Sequence, residues 1–507
     1  MSKISNSLPR RLVAAFDSPK FFRIILVLLI AQAAWIALSG RYPMAFDEDF
    51  HLGIIRLYAH HISPFWSGQP ENADKFGAVA RDPSYLYQYL MSFPYRLIAF
   101  LFHGQTTEVL ILRGMNIGLF AGGLALYRRL LLKTGVSRRL VHFCLLIFVL
   151  VPIVPLLAAQ INYDNLFLPL TALAFLMAVN FSGSLAKRKY MDVRLLTSLV
   201  VLCLLTSLVK YTFLPFFVVI FGFVLVRLIQ RYRSIKVIWQ NLLLGWRQLN
   251  RWTHIGLLIA VVVAAGLFAQ RYAVNIVRYH VPVPDCSKVL TIEQCSEYGP
   301  WIRDYDLKLA NVGGPRSPRT FAADWFYGMW LRTFFAVDGP ATNFQTRGPL
   351  LLPGIEAIIF SITGALVAVV SAPKLFRKFN RPALWLFVAA IIGYIGALWL
   401  DDYEAYVRTG QPVAINGRYL LPVLLPALLI VVAAADELLK NKLATKIMLA
   451  TIVVACMAWG GGALTYVLRS NDAWYWPNPV VRTANHAVQK TLGPITPGYQ
   501  NTVQFLR

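Results

Sequence analysis

Long apolar runs recur along the whole chain, separated by short polar gaps. Those at 21–38, 256–269 and 444–467 set the pattern. A run of about 18 or more apolar residues can cross the hydrocarbon core of a bilayer as a helix. The runs predict spans at about 21–39, 107–127, 140–158, 165–181, 193–209, 212–230, 255–273, 350–371, 382–400, 419–436 and 445–468. The fold class expected is therefore an all-α polytopic membrane protein, a bundle of about 11 transmembrane helices. Segment 85–103 is only semi-apolar and rich in Tyr and Phe. Both its flanks fall on one side of the membrane, so it is expected to lie as an interfacial or re-entrant helix.

Composition agrees with this pattern. The 507 residues are 57% hydrophobic and 14% charged, against about 25% charged in soluble domains. The net charge of +25 sits mostly in the gaps. Segment 128–139 holds five Lys/Arg and no acid, 227–251 holds six and 374–381 holds four. Such gaps stay cytoplasmic, which makes the charge a topology signal and a contact for anionic lipid, not a nucleic-acid surface. The N-terminus is then cytoplasmic and the C-terminus outside. The outer side receives 40–104, 159–164, 274–349, 401–418 and the tail. Residues 1–468 form the transmembrane domain and 469–507 an outer tail.

Segment 274–349 is too long for a bare turn and should carry short helices. It contains Cys286 and Cys295, whose spacing suits a disulfide in an oxidising compartment. The other three cysteines lie in apolar runs. No spacing of Cys and His indicates zinc. A divalent metal is possible but not predicted, and no cofactor is required.

Three features could carry chemistry. FDEDFHLG at 46–53 follows the first span and places Asp47, Glu48 and Asp49 side by side at the membrane edge. Mutual repulsion there favours general-base or metal work. His51 stands one helical turn from Asp47, on the same face. The alternative reading is an acidic N-terminus of an interfacial helix. Second, QINYDN at 160–165 is a tight turn carrying Asp164. Third, Arg113, Lys210 and Arg418 lie at or near the outer ends of spans, where topology needs few cations. Ionisable groups at membrane depth are functional candidates, and Arg and Lys suit a lipid phosphate. Carboxylates to deprotonate an acceptor, cations to hold a phosphate leaving group and aromatics such as Tyr419 to face a sugar together fit glycosyl transfer at the lipid–water boundary.

FDEDFHLG resembles the acidic first-loop motif of the GT-C glycosyltransferases, in the Asp-Glu-x-x-His form of protein O-mannosyltransferases and bacterial relatives. PSYLYQYLMSFPYRL, LRGMN, NYDN, LVKYTFLP and NGRYLLPVLLP resemble further blocks of those proteins, in the same order, over about residues 20–440. The resemblance implies a GT-C-like bundle with an interfacial helix pair in its first outer loop. It implies Asp47 as catalytic base, Glu48 as the residue orienting base or acceptor, and Asp164 as the second outer acid. Asp49 is an additional acid beside the usual pair. Asp49, His51, Asp164, Lys210, Arg113, Arg418 and Tyr419 are the substrate-binding candidates. The implied partners are the bilayer, a polyprenyl-phosphate sugar donor and a cell-envelope acceptor, whether glycan, lipid or protein. The implied location is the plasma (inner) membrane. A transporter or flippase of an anionic lipid is the alternative; its key charges would sit near the midplane between broken helices.

Overall fold

The computed structural model describes residues 14–44, 47–187, 190–311, 317–334, 352–413, 415–440, 442–497 and 499. Among these there is no strand, only an isolated antiparallel bridge between Gly40 and Tyr475. Nine described helices are long and apolar enough to cross a membrane, from Pro19–Ser39 to Leu443–Arg469. The chain is thus an all-α, multi-pass membrane protein.

Three expected spans depart from that simple form. The one at 193–209 is a helix of 17 residues, Val193–Val209, apolar but short. The one at 140–158 is broken into Arg138–Leu150 and Ile153–Ala158. Pro152 and Pro155 explain the break, since proline lacks the N–H that continues a helix. The last span also breaks, between Leu443–Ala458 and Gly462–Arg469, at a run of glycines. The two breaks touch: a Cβ on Gly461 would lie 2.6 Å from the Leu150 carbonyl oxygen. Gln32 of the first helix stitches them, donating to the Val149 carbonyl (3.2 Å) and accepting from the Ala463 N–H (2.9 Å). Backbone groups freed inside a membrane need such partners.

Helices Gln105–Leu132 and Asp164–Lys187 form the centre. They approach closely because Gly123 faces Pro169, leaving 3.1 Å where a Cβ would stand. Small residues permit this kind of contact between membrane helices. By contrast, only 6% of the apolar window of Arg251–Tyr279 is buried in the protein. Its Leu258, Ile259, Val262 and Val263 are exposed, the surface of a helix that meets lipid.

The first long connection carries a helix pair, Glu48–Ala59 and Leu86–Leu101, packed on each other. Arg96 ties them by donating to the Tyr58 (2.8 Å) and His61 (2.9 Å) carbonyls. Leu90, Phe93, Leu97, Phe100 and Leu101 stay exposed along the second helix, as an interfacial helix requires. The connection after Tyr279 holds the short helices Cys286–Val289, Ile292–Ser296, Gly299–Ala310 and Pro318–Phe334. A disulfide joins Cys286 to Cys295. In the tail, helix Pro479–Leu492 docks on the first helix, where Trp35 donates to Asn485 (2.9 Å).

Candidate functional site

Asp47, Asp164, Lys210 and Arg418 all stand at helix ends, and the four ends meet at one edge of the bundle. Asp47 precedes helix Glu48–Ala59 in the left-handed region (φ 68°), a conformation Asp tolerates better than most residues. Its carbonyl accepts the first helical bond, from the His51 N–H (3.0 Å).

The three consecutive acids have separate fates. Glu48 is fully buried. Its carboxylate accepts from the Met44 N–H (2.8 Å), the Ile161 N–H (3.2 Å), and Arg113 Nε (2.8 Å) and Nη2 (2.7 Å). Arg113, also fully buried, gives its remaining Nη1 to the carbonyls of Ala37 (2.8 Å) and Gly40 (2.6 Å). The pair closes on itself, so neither group is presented to a ligand. It clamps the chain before Asp47 to the turn before Asp164. Asp49 is exposed, and no ion pair joins it to another described residue. Asp47 alone of the three carboxylates faces the other charges.

Arg418 Nη2 donates to Asp47 Oδ2 at 2.8 Å, and its Nε stands 3.9 Å from Asp164 Oδ2. Lys210 Nζ donates to Asp164 Oδ1 at 2.5 Å. Lys210 and Arg418 are buried, whereas the Asp47 side chain is 56% exposed. Two carboxylates and two cations therefore balance, with Asp47 at the open end. Lys210 sits over the rings of Tyr163 (4.5 Å) and Tyr419 (4.6 Å), and Arg418 over Tyr419 (5.2 Å). Such contacts hold a desolvated cation in place.

Local sequence accounts for the aim of each group. In the 160–165 turn, Asn162 accepts from the Asp164 N–H (2.9 Å). Asn165 donates to the Leu157 and Gln160 carbonyls and to Asn116 Oδ1, which also accepts from the Tyr87 hydroxyl (2.8 Å). The asparagines fix the turn and leave Asp164 free for Lys210. Before Arg418, the Asn416 side chain accepts from the Arg418 N–H (3.1 Å). Gly417 has no room for a side chain, since a Cβ would lie 2.5 Å from Thr333 N and 2.8 Å from its Cα.

Electrostatics divide the roles. Burial lifts the Asp47 carboxyl, but the adjacent Arg418 guanidinium, with His51 and Lys210, pulls it below the ordinary carboxylate range. Burial pushes Lys210 down to about 8 and Arg418 adds to this, against the pull of Asp164. Burial pushes His51 down to about 3, opposed by Asp47 and reinforced by Arg418 and Lys210. At neutral pH the site thus holds an ionised Asp47, a charged Lys210 and a neutral His51.

Of the residues singled out from sequence, Asp47, His51, Asp164, Lys210, Arg418 and Tyr419 come together. Glu48 and Arg113 support them from behind, and Asp49 stands outside. The sequence reading passed over Tyr163, although it lies in the same turn as Asp164. It also passed over Gln88, one helix away from His51. Tyr298 was hidden altogether: it comes from the disulfide-closed connection, lies 6.2 Å ring to ring from Phe50 and is within electrostatic reach of Asp47 and Tyr419. No local pattern marks it; its ring rests against Gly77, 3.0 Å from where a Cβ would stand. Among the described residues, no group of three His, Cys, Asp or Glu side chains is placed to hold a metal ion. No protein-family model matches the chain, and no curated protein matches it.

Proposed function

We propose that the protein is a glycosyltransferase that moves a sugar from a polyprenyl-phosphate donor to a cell-envelope acceptor on the outer face of the plasma membrane. The observation that carries this reading is the Arg418–Asp47 contact. It sets a half-open carboxylate beside a buried guanidinium at the end of a lipid-facing bundle. In the reaction, Asp47 takes the proton of an acceptor hydroxyl. The acceptor oxygen bonds to the anomeric carbon as the bond from that carbon to the phosphate oxygen breaks. The electron pair leaves with the polyprenyl phosphate, whose added charge Arg418 and Lys210 meet. Asp164 holds Lys210 in position, and Tyr163 and Tyr419 supply apolar ring faces for the sugar. Glu48 and Arg113 serve as positioning residues, which fits the role of orienting the base.

Transport of an anionic lipid is the competing reading. Both broken helices meet at Gln32, an uncharged bridge, whereas the ionised groups gather at helix ends; this favours transfer over transport. The test uses the full-length protein in proteoliposomes. A panel of radiolabelled polyprenyl-phosphate hexoses and pentoses is offered together with envelope lipid and glycan fractions. Label should reach an acceptor fraction with the wild type and not with Asp47→Asn. Protein-dependent movement of labelled lipid between leaflets, with no transfer to any fraction, overturns the proposal in favour of transport.

A further inference from the structure

His51 is 1% exposed, yet among the described residues only one of its ring nitrogens has a partner. Nδ1 lies 3.1 Å from the Gln88 side chain. The Gln88 amide orientation is assigned from its neighbours: turned so that its NH2 group donates to the Ser84 (2.9 Å) and Tyr85 (3.2 Å) carbonyls, it faces Nδ1 with its oxygen. That oxygen can only accept, so the proton of the neutral imidazole resides on Nδ1. Nε2 is left with a lone pair, buried and without a donor among the described residues. Rings on three sides hold the imidazole: Tyr163 at 4.5 Å, Tyr87 at 6.0 Å and Phe50 at 5.5 Å. Neither tautomer exchange nor ring rotation is open to it without breaking the Gln88 contact.

The charged groups that act on the ring are Asp47, Arg418 and Lys210. Both cations are already committed to carboxylates. Asp47, like Nε2, can only accept. Asp47 already accepts from Arg418, so Nε2 is an acceptor in this cluster that no described donor reaches. Buried polar groups without a partner are rare in folded proteins and call for an explanation. A ligand that brings a hydroxyl hydrogen supplies the missing donor.

The geometry points to His51 Nε2 as a hydrogen-bond acceptor for a hydroxyl of the transferred sugar, with Gln88 as the positioning residue that fixes its tautomer. The inference rests on the proposed glycosyl transfer and names the group on the donor that the site reads. Because the ring stays neutral through the physiological range, His51 recognises a hydroxyl without removing its proton, and the base role remains with Asp47. A site built to accept from a hydroxyl discriminates against a ligand lacking it, because the buried acceptor is then left unpaired.

The experiment compares binding of polyprenyl-phosphate hexoses with binding of bare polyprenyl phosphate to the full-length protein in nanodiscs. Wild type should prefer at least one hexose-bearing lipid over the bare phosphate. His51→Phe should weaken that lipid about tenfold, the worth of one buried hydrogen bond, and leave the bare phosphate unchanged. His51→Gln, which keeps an acceptor at the end of the side chain, should recover part of the loss. Histidine-labelled protein should show a pyridine-type Nε2 signal in nitrogen NMR that is absent in His51→Gln. Gln88→Leu should mix the tautomers. Equal weakening of both lipids by His51→Phe would mark a structural role and overturn the inference, as would an unchanged hexose preference. Should His51→Phe fail to fold, His51→Gln and Gln88→Leu decide on the same two lipids. A wild type that binds neither lipid removes the donor reading itself; a wild type that binds both, with variants that keep its preference, removes only the role of His51.

Discussion

Arg418 and Asp47 lie 371 residues apart in sequence and 2.8 Å apart in space. The first is buried and the second half open. A guanidinium committed to a half-open carboxylate is partly masked from any other anion. A lipid phosphate arriving at Arg418 competes with Asp47 for the same N–H groups. If it wins, Asp47 loses the charge that depresses its carboxyl and becomes a stronger base at the moment a donor is bound.

Asp47→Asn should therefore have opposite effects on the two halves of the reaction. Transfer should fall about 100-fold or more, in line with the loss of a positioned base. Binding of polyprenyl phosphate should tighten, since the internal competitor for Arg418 is gone. Both are measured on one preparation, by sugar transfer and by lipid binding in nanodiscs. Weaker phosphate binding in Asp47→Asn would show that Asp47 organises Arg418 instead of masking it.

Glu48 and Arg113 should behave as a structural pair. Removing one partner leaves a fully buried charge alone, which costs about 3–5 kcal/mol. Arg113→Met and Glu48→Gln should each lower the melting temperature in detergent strongly, and the double variant should recover part of the loss. Independent, additive losses would mean that the two side chains do not act on each other.

How much of this was legible in the sequence depends on range. The acidic motif announced a helix start, and hydropathy located the helices, because both signals are local. The breaks at Pro152 and Gly461 were visible as residues but not as breaks, since apolar runs continue through them. The fates of Asp47, Glu48 and Asp49 were not legible. With Asp47 in the left-handed region, a helical wheel cannot tell which of three adjacent acids turns inward. Arg113 looked functional for its depth in a span, and only the packed structure supplies Glu48 as its partner. Lys210, Arg418 and Asp164 were each readable as helix-end charges, but their meeting is a product of tertiary packing.

The pH profile follows from Asp47 and Lys210. Asp47 has a lowered carboxyl in the folded protein, so its charge and its contribution to stability are present at neutral pH and are lost as pH falls through the acid range. Lys210, pushed down to about 8, is charged below that value and neutral above it. Transfer should thus hold through neutrality and fall as pH rises through about 8, because the leaving phosphate loses a cation. Lys210→Arg should move the alkaline limb upward, since a guanidinium keeps its charge. An alkaline limb unchanged in Lys210→Arg would assign it to another group.

Gly417 gives the most local test of how the site is held. Its Cβ position is occupied by the backbone of Thr333, which cannot swing aside as a flexible side chain could. Gly417→Ala must push the Asn416–Arg418 turn away from helix Pro318–Phe334 or distort that helix. Overpacking of this kind costs about 1–3 kcal/mol. Arg418 is the next residue and contacts both Asp47 and Asp164, so a displacement of the turn is passed directly to the charge cluster. A shift on the order of 1 Å in a catalytic group can cost about 100-fold in rate. Gly417→Ala should therefore lose far more transfer than stability. A control at Gly222, where a Cβ meets nothing within 4 Å, should lose neither. Comparing transfer rate with melting temperature for the two variants separates aim from folding: a Gly417→Ala protein that melts lower but transfers normally would mean that Arg418 keeps its place without the glycine.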